Sequence, residues 1–161
     1  MATTSKRGRL GPWIALCLIL ASAWLPAAGW ADAPAPAASY AWPITSVMDG
    51  DTVRVDIPGL PPELKRLSVR LRGINAPETG GKAKCDAEKK LAARATAFLT
   101  AAITTAKAKR HSIRFTEIAW DKYGGRIDAR LLINGQDIGP AMIAARLARA
   151  YDGGKREGWC P

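Results

Sequence analysis

The chain has 161 residues, 48% hydrophobic and 24% charged, with a formal net charge of +10 at neutral pH. That length suffices for one compact domain and not two, and no internal repeat is visible. The positive balance fits a polyanionic partner such as nucleic acid, or an anionic surface, without choosing between them.

The first thirty or so residues read as an export leader. Lys6, Arg7 and Arg9 form a basic start, and Trp13 to Leu25 is an apolar run too short to span a membrane comfortably. Gly29-Trp30-Ala31 then places small residues where a signal peptidase cuts, so residues 1–31 are expected to be a signal peptide. Cys17 is not a lipid-attachment site, because Leu16 before it is too large. Removing the leader takes away three cations and no acid, leaving a net charge of +7. Residues 32–42 follow as a flexible Ala/Pro-rich lead-in, and the domain itself is expected over 43–161.

Val53, Val55 and Ile57 alternate with Arg54 and Asp56, a half-buried strand. Pro58-Gly59 and Pro61-Pro62 break it with a turn or loop. Leu67, Val69 and Leu71 alternate with Ser68, Arg70 and Arg72, so the two arginines share the face opposite the apolar set. Gly73 and Pro77 end that strand and leave Asn75 to Glu78 on a loop at its mouth. Asp86 to about Lys107 reads as a long helix, with Leu91, Ala95, Phe98, Ala102 and Ile103 as its apolar stripe. Strands are expected near Ile113–Ile118 and Ile127–Ile133, the second closed by Asn134-Gly135. Asp137 can cap a last helix, with Pro140 in its first turn and Ile143 and Leu147 facing inward. Trp42, Trp120 and Trp159 read as packing residues, and His111 as a bystander at the turn after the long helix. Short strands with one inserted long helix suggest a small barrel of α+β type, and periodicity alone does not distinguish it from other α+β arrangements. Cys85 and Cys160, an even pair in an exported domain, are expected to form a disulfide closing a loop of roughly 75 residues, worth ~4–5 kcal/mol on a chain-entropy model.

The residues able to do chemistry cluster along the chain. Asp49-Gly50-Asp51 opens a strand with two carboxylates, and hard cations such as Ca²⁺ take oxygens from carboxylates, amides and carbonyls. Asn75 and the carbonyl of Ala76 can add to such a set. The guanidinium fork of Arg70 suits a phosphate, and Glu78 stands where a base can reach water.

Asp49-Gly50-Asp51-Thr52, Arg70 with Pro77-Glu78-Thr79, and Asp121-Lys122-Tyr123-Gly124 with Arg126 occur in the order of three site motifs. In this the chain resembles the staphylococcal-nuclease-like (thermonuclease) family, over about residues 43 to 151. The resemblance implies a five-stranded OB-type barrel with about two or three packed helices. It implies Ca²⁺-dependent hydrolysis of DNA and RNA with little sequence preference, leaving 3′-phosphate ends. Carried over position by position, it makes Asp51 and the Ala76 carbonyl direct metal ligands and Asp49 an outer, water-mediated one. Arg70 and Arg126 become phosphate binders, Glu78 the group acting on water, and Tyr123 and Lys122 substrate contacts. Two positions depart from the family pattern. Asn75 stands where an aspartate ligand is usual, which removes one negative charge and raises the expected calcium requirement. Gly125 is an extra residue before Arg126, with Arg130 as the substitute if the loop cannot absorb it. DNA and RNA are the expected partners, with a monomer working free of the membrane after leader removal. The rival expectation is a catalytically silent OB-type module that binds single-stranded nucleic acid through basic grooves and exposed aromatics.

Overall fold

Val53 and Val55 are fully buried while Arg54 and Asp56 between them are half-buried, the period-two pattern of a strand with one face on a core. The structure, a computed structural model, describes residues 38–122 and 124–161. The expected leader, the first part of the lead-in, and Tyr123 lie outside the described residues.

The strands are β1 Ser39–Tyr40, β2 Ile44–Val47, β3 Thr52–Asp56, β4 Arg66–Leu71, β5 Gly73–Asn75, β6 Ile113–Trp120, β7 Arg126–Ile133, β8 Gln136–Asp137 and β9 Arg149–Tyr151. Helices α1 Pro62–Lys65, α2 Asp86–Ala108 and α3 Ile138–Ala144 complete the regular elements, with a 3-10 turn at Gly80–Lys82. The main sheet runs β1-β6-β7-β4-β3-β2, with β8 added to β7, and β5 pairs β9 in a separate ribbon. All pairings are antiparallel except β4 with β7, whose crossover carries α2 and β6. β2, β3, β4, β6 and β7 form the body of the mixed α+β architecture expected for an OB-type fold. Val69, Leu71, Ile127, Ala129, Leu131 and Phe115 meet Leu99 and Ile103 of α2 and Met142 of α3 in one core.

Several expectations need correction. The face of α2 that is buried is Ala92, Ala95, Leu99, Ile103 and Ala106, with Glu88 at its start. Leu91, Phe98 and Ala102 flank it half-buried, because a 23-residue helix drifts relative to any short-window stripe. In α3 it is Met142 that is buried, while Ile143 is exposed, although Leu147 beyond the helix does reach the core. Trp120 does not pack: it is 74% exposed at the end of β6, whereas Trp42 stacks on Phe115. Pro61-Pro62, read as a loop, starts the single turn of α1, where Pro62 at the first helical position loses no hydrogen bond.

The lead-in, expected to be flexible through residue 42, joins the fold at its end: Ser39 and Tyr40 pair with β6 and Trp42 stacks on Phe115. Asp137 caps α3 by accepting from the Gly139 N–H at 2.9 Å. Cys85 and Cys160 form a disulfide with Cα atoms 6.1 Å apart, which fixes the C-terminal tail at the start of α2.

Candidate active site

The Asp49-Gly50-Asp51 turn is set by its own side chain, since Asp49 Oδ1 accepts from the Asp51 N–H at 3.0 Å. Met48 N–H donates to the Thr52 carbonyl at 2.9 Å, and Leu71 N–H to the Asp51 carbonyl at 2.7 Å. Gly50 is required by packing: a Cβ there would lie 2.7 Å from the Cβ atoms of both Ala76 and Ala95. The turn is therefore pressed between α2 and the loop after β5, and Asp51 is driven inward.

Asp51 is buried and fully engaged. Its Oδ1 accepts from Arg70 Nη1 at 2.7 Å and from the Thr52 hydroxyl at 3.1 Å, and its Oδ2 accepts from the Ala76 N–H at 2.7 Å. Burial nevertheless pushes its carboxyl up to about 6; Arg70 pulls it back down, and the neighbouring charge of Asp49 pushes it up again. An oxygen-only group of Asp49, Asp51 and the Ala76 backbone, whose buried acid is still short of positive charge, suits a hard cation.

Arg70 and Arg126 come from neighbouring parallel strands. In the β4–β7 register Ser68 faces Arg126 and Arg70 faces Asp128, so both arginines stand on one face, two residues apart. Arg126 pairs with the buried Asp121. The extra glycine is absorbed by the loop: Gly124 and Gly125 adopt φ of 68° and 61°, and the Asp121 N–H closes on the Arg126 carbonyl at 3.0 Å. Arg130 points elsewhere, into ion pairs with Glu117 and Asp137. Arg72 is exposed and donates to the Glu117 carbonyl. Asp128, between the arginines, has its carboxyl raised by burial and by the charge of Asp121.

One cleft of about 560 Å³ is walled by Asp49, Asp51, Arg70, Ala76, Glu78 and Arg126. Six of the expected site residues thus meet there. Asn75 is set one step behind, its amide oxygen accepting from Arg70 Nη2 at 3.3 Å. Lys122 lines an adjoining cleft with Arg70, Arg126, Trp120 and Tyr151. Three further residues belong to this site that the three motifs do not contain. Arg156 of the tail enters the same cleft and pairs with Glu78 at 2.9 Å. Lys82 lines it too. Glu88 is buried, and its carboxylate accepts from the Glu78 N–H at 3.2 Å and the Lys84 N–H at 2.7 Å, holding the loop that carries Glu78. The signal for Arg156 was its position four residues before a cysteine expected to be pinned. Glu88 resembled an ordinary first-turn acid.

An α+β fold with a carboxylate-and-arginine cleft at the mouth of β3, β4 and β7 defines the class of nuclease-like OB domains. A family model described as staphylococcal nuclease homologue matches residues 68–158, and the chain belongs to that family. The match takes in Arg70, Glu78, Arg126 and Arg156 and begins after the Asp49–Asp51 turn. No curated relative matches the chain.

Proposed function

We propose that the chain is an exported, Ca²⁺-dependent nuclease that hydrolyses phosphodiester bonds of DNA and RNA with little sequence specificity and leaves 3′-phosphate ends. The observation carrying this reading is the single cleft that gathers Asp49, Asp51, Arg70, Glu78 and Arg126 from separate elements. Asp51 and the Ala76 carbonyl would hold the calcium ion, with Asp49 one water away. Bound calcium would offset charge on the scissile phosphate. Arg70 and Arg126 bind the phosphate by bidentate, charge-assisted hydrogen bonds that strengthen as charge develops on its oxygens. Glu78 orients the attacking water and takes its proton. Lys122 and Tyr123 contact the substrate beyond the phosphate. Asn75 supports the site through Arg70, and because it brings no charge, half-saturation is expected at ~mM calcium. Export rests on the leader read in residues 1–31 and accords with the disulfide.

The exposed Trp120, beside Arg126 and Lys122, favours a second reading, a non-catalytic single-strand binder with a stacking platform. Purified protein lacking the leader, incubated with plasmid, denatured DNA and RNA, separates the two. Cleavage that needs calcium, stops with chelator and is nearly abolished by Glu78→Gln supports the nuclease. Tight binding with no cleavage at any calcium concentration supports the binder.

A further inference from the structure

Each arginine of the cleft has its own carboxylate: Arg70 with Asp51, Arg126 with Asp121, and Arg156 with Glu78. The three pairs differ in how firmly they are enclosed. Asp51 and Asp121 are buried, whereas the Glu78 and Arg156 side chains are 37% and 41% exposed. The exposed pair gains least from its own attraction, and it is the one that an incoming anion can open most readily.

Arg156 is nevertheless held in place on both sides. Before it, the Tyr151 hydroxyl donates to the Gly154 carbonyl at 3.0 Å, and Asp152 accepts from the Gly154 N–H. After it, Arg149 donates to the Gly158 carbonyl at 2.9 Å and lies 4.2 Å from the centre of the Trp159 ring. Cys160 then ties the tail to Cys85, which caps α2 three residues before Glu88. The buried carboxylate of Glu88 holds the backbone of Glu78, so the disulfide anchors Arg156 and its partner at one point. Arg156 also borders three clefts at once: the one holding Asp51, the one holding Lys122 and Trp120, and the one beneath Trp159.

We propose that Arg156 is a third phosphate-binding arginine, parked on Glu78 in the substrate-free chain and transferred to a backbone phosphate of the bound strand, with the Cys85–Cys160 disulfide setting its position. The transfer does two things. It adds a charge-assisted contact to the polyanion, and it releases the Glu78 carboxylate to meet water. This rests on the nucleic-acid reading given above.

The test compares the leaderless wild type with Arg156→Ala, Arg156→Lys and the double variant Cys85→Ser/Cys160→Ser. Binding of a fluorescein-labelled single-stranded decathymidylate is read by anisotropy in calcium and in chelator, and kcat and KM are measured on denatured DNA. Arg156→Ala is expected to weaken binding about tenfold, the size of one lost charged hydrogen bond, and Arg156→Lys by less. The log–log salt slope should shrink by about 0.7. The double-serine chain should match Arg156→Ala, and adding Arg156→Ala to it should cost nothing further. Unchanged binding by Arg156→Ala overturns the proposal. So does a raised kcat at unchanged affinity, which would make the pair only a brake on Glu78. Wild-type binding by a folded double-serine chain removes the disulfide from the argument, and if that chain does not fold the two arginine variants decide alone. The chelator arm reads binding without turnover, so failure of the wild type to cleave would remove the nuclease reading and leave that arm's result standing.

Discussion

Asp51 is an acid whose environment works against its charge. Its ordinary value of 3.8 is pushed to about 6 by burial, more than Arg70 pulls it down. Between those values the folded chain holds a proton that the unfolded chain has lost, so stability of the calcium-free protein falls as pH rises through that window. Under the proposed function, calcium held by Asp51 would need that carboxyl deprotonated. Apparent calcium affinity should therefore be flat above about pH 7 and fall up to about tenfold per unit below about pH 6, measured as half-saturating calcium for cleavage at pH 5 to 8. A requirement independent of pH would show that Asp51 does not hold the ion. Asn75 acts at one remove, through Arg70. Replacing it with aspartate sets a second carboxylate against that guanidinium and adds negative charge near the metal donors. Asn75→Asp should lower half-saturating calcium severalfold with little change in kcat; an unchanged calcium titration would show that the missing charge is immaterial.

The site depends on how α2 meets the chain before and after the sheet. Ala95 of α2 and Ala76 leave room for the backbone of Gly50 and for no Cβ. Gly50→Ala should destabilise the fold by ~1–3 kcal/mol in denaturant unfolding, and should raise the calcium requirement because Asp51 moves with the turn. Stability lost without any calcium effect would mean that the turn relaxes away from the site. At the start of the same helix, Glu88 accepts two backbone N–H groups. Glutamine has one acceptor oxygen, so Glu88→Gln leaves one buried donor unmet at a cost of ~1–3 kcal/mol and loosens the loop bearing Glu78. Its kcat should fall more than its affinity for a single-stranded oligonucleotide; equal losses would argue for general unfolding. Much of this layer was legible in the sequence. The alternation of Val53 and Val55, the two-residue step between Arg70 and Arg72, and the Asp137 cap all depend on neighbours within a few residues, and all appear in the structure. β5 and β9 were not legible, because each is three residues long and exists only by pairing with the other across nearly half of the chain. Glu88 and Trp120 were misjudged for the same reason: their roles are set by what lies opposite them.

For the whole molecule, the disulfide closes the chain on itself over a sequence separation of 75 residues. That pairing was predictable from two cysteines in a domain read as following an export leader, but what the tail does once pinned was not, since Gly153-Gly154 to Pro161 carries no periodic pattern. The link joins the tail to the head of α2, beside the loop that bears Glu78, and a chain-entropy estimate gives it about 4–5 kcal/mol. Much of a small domain's stability is of that order. Reduction should therefore lower the midpoint of denaturant unfolding substantially and steepen the slope, because the opened chain exposes more surface when unfolded. If the core of β3, β4, β7 and α2 stands alone, far-ultraviolet dichroism of the reduced chain at low denaturant will match that of the oxidised one. Two measurements then separate the roles of the link. A midpoint unmoved by reductant would mean that the tail contributes nothing to folding, and its position beside Glu78 would be left to explain why the chain keeps it closed.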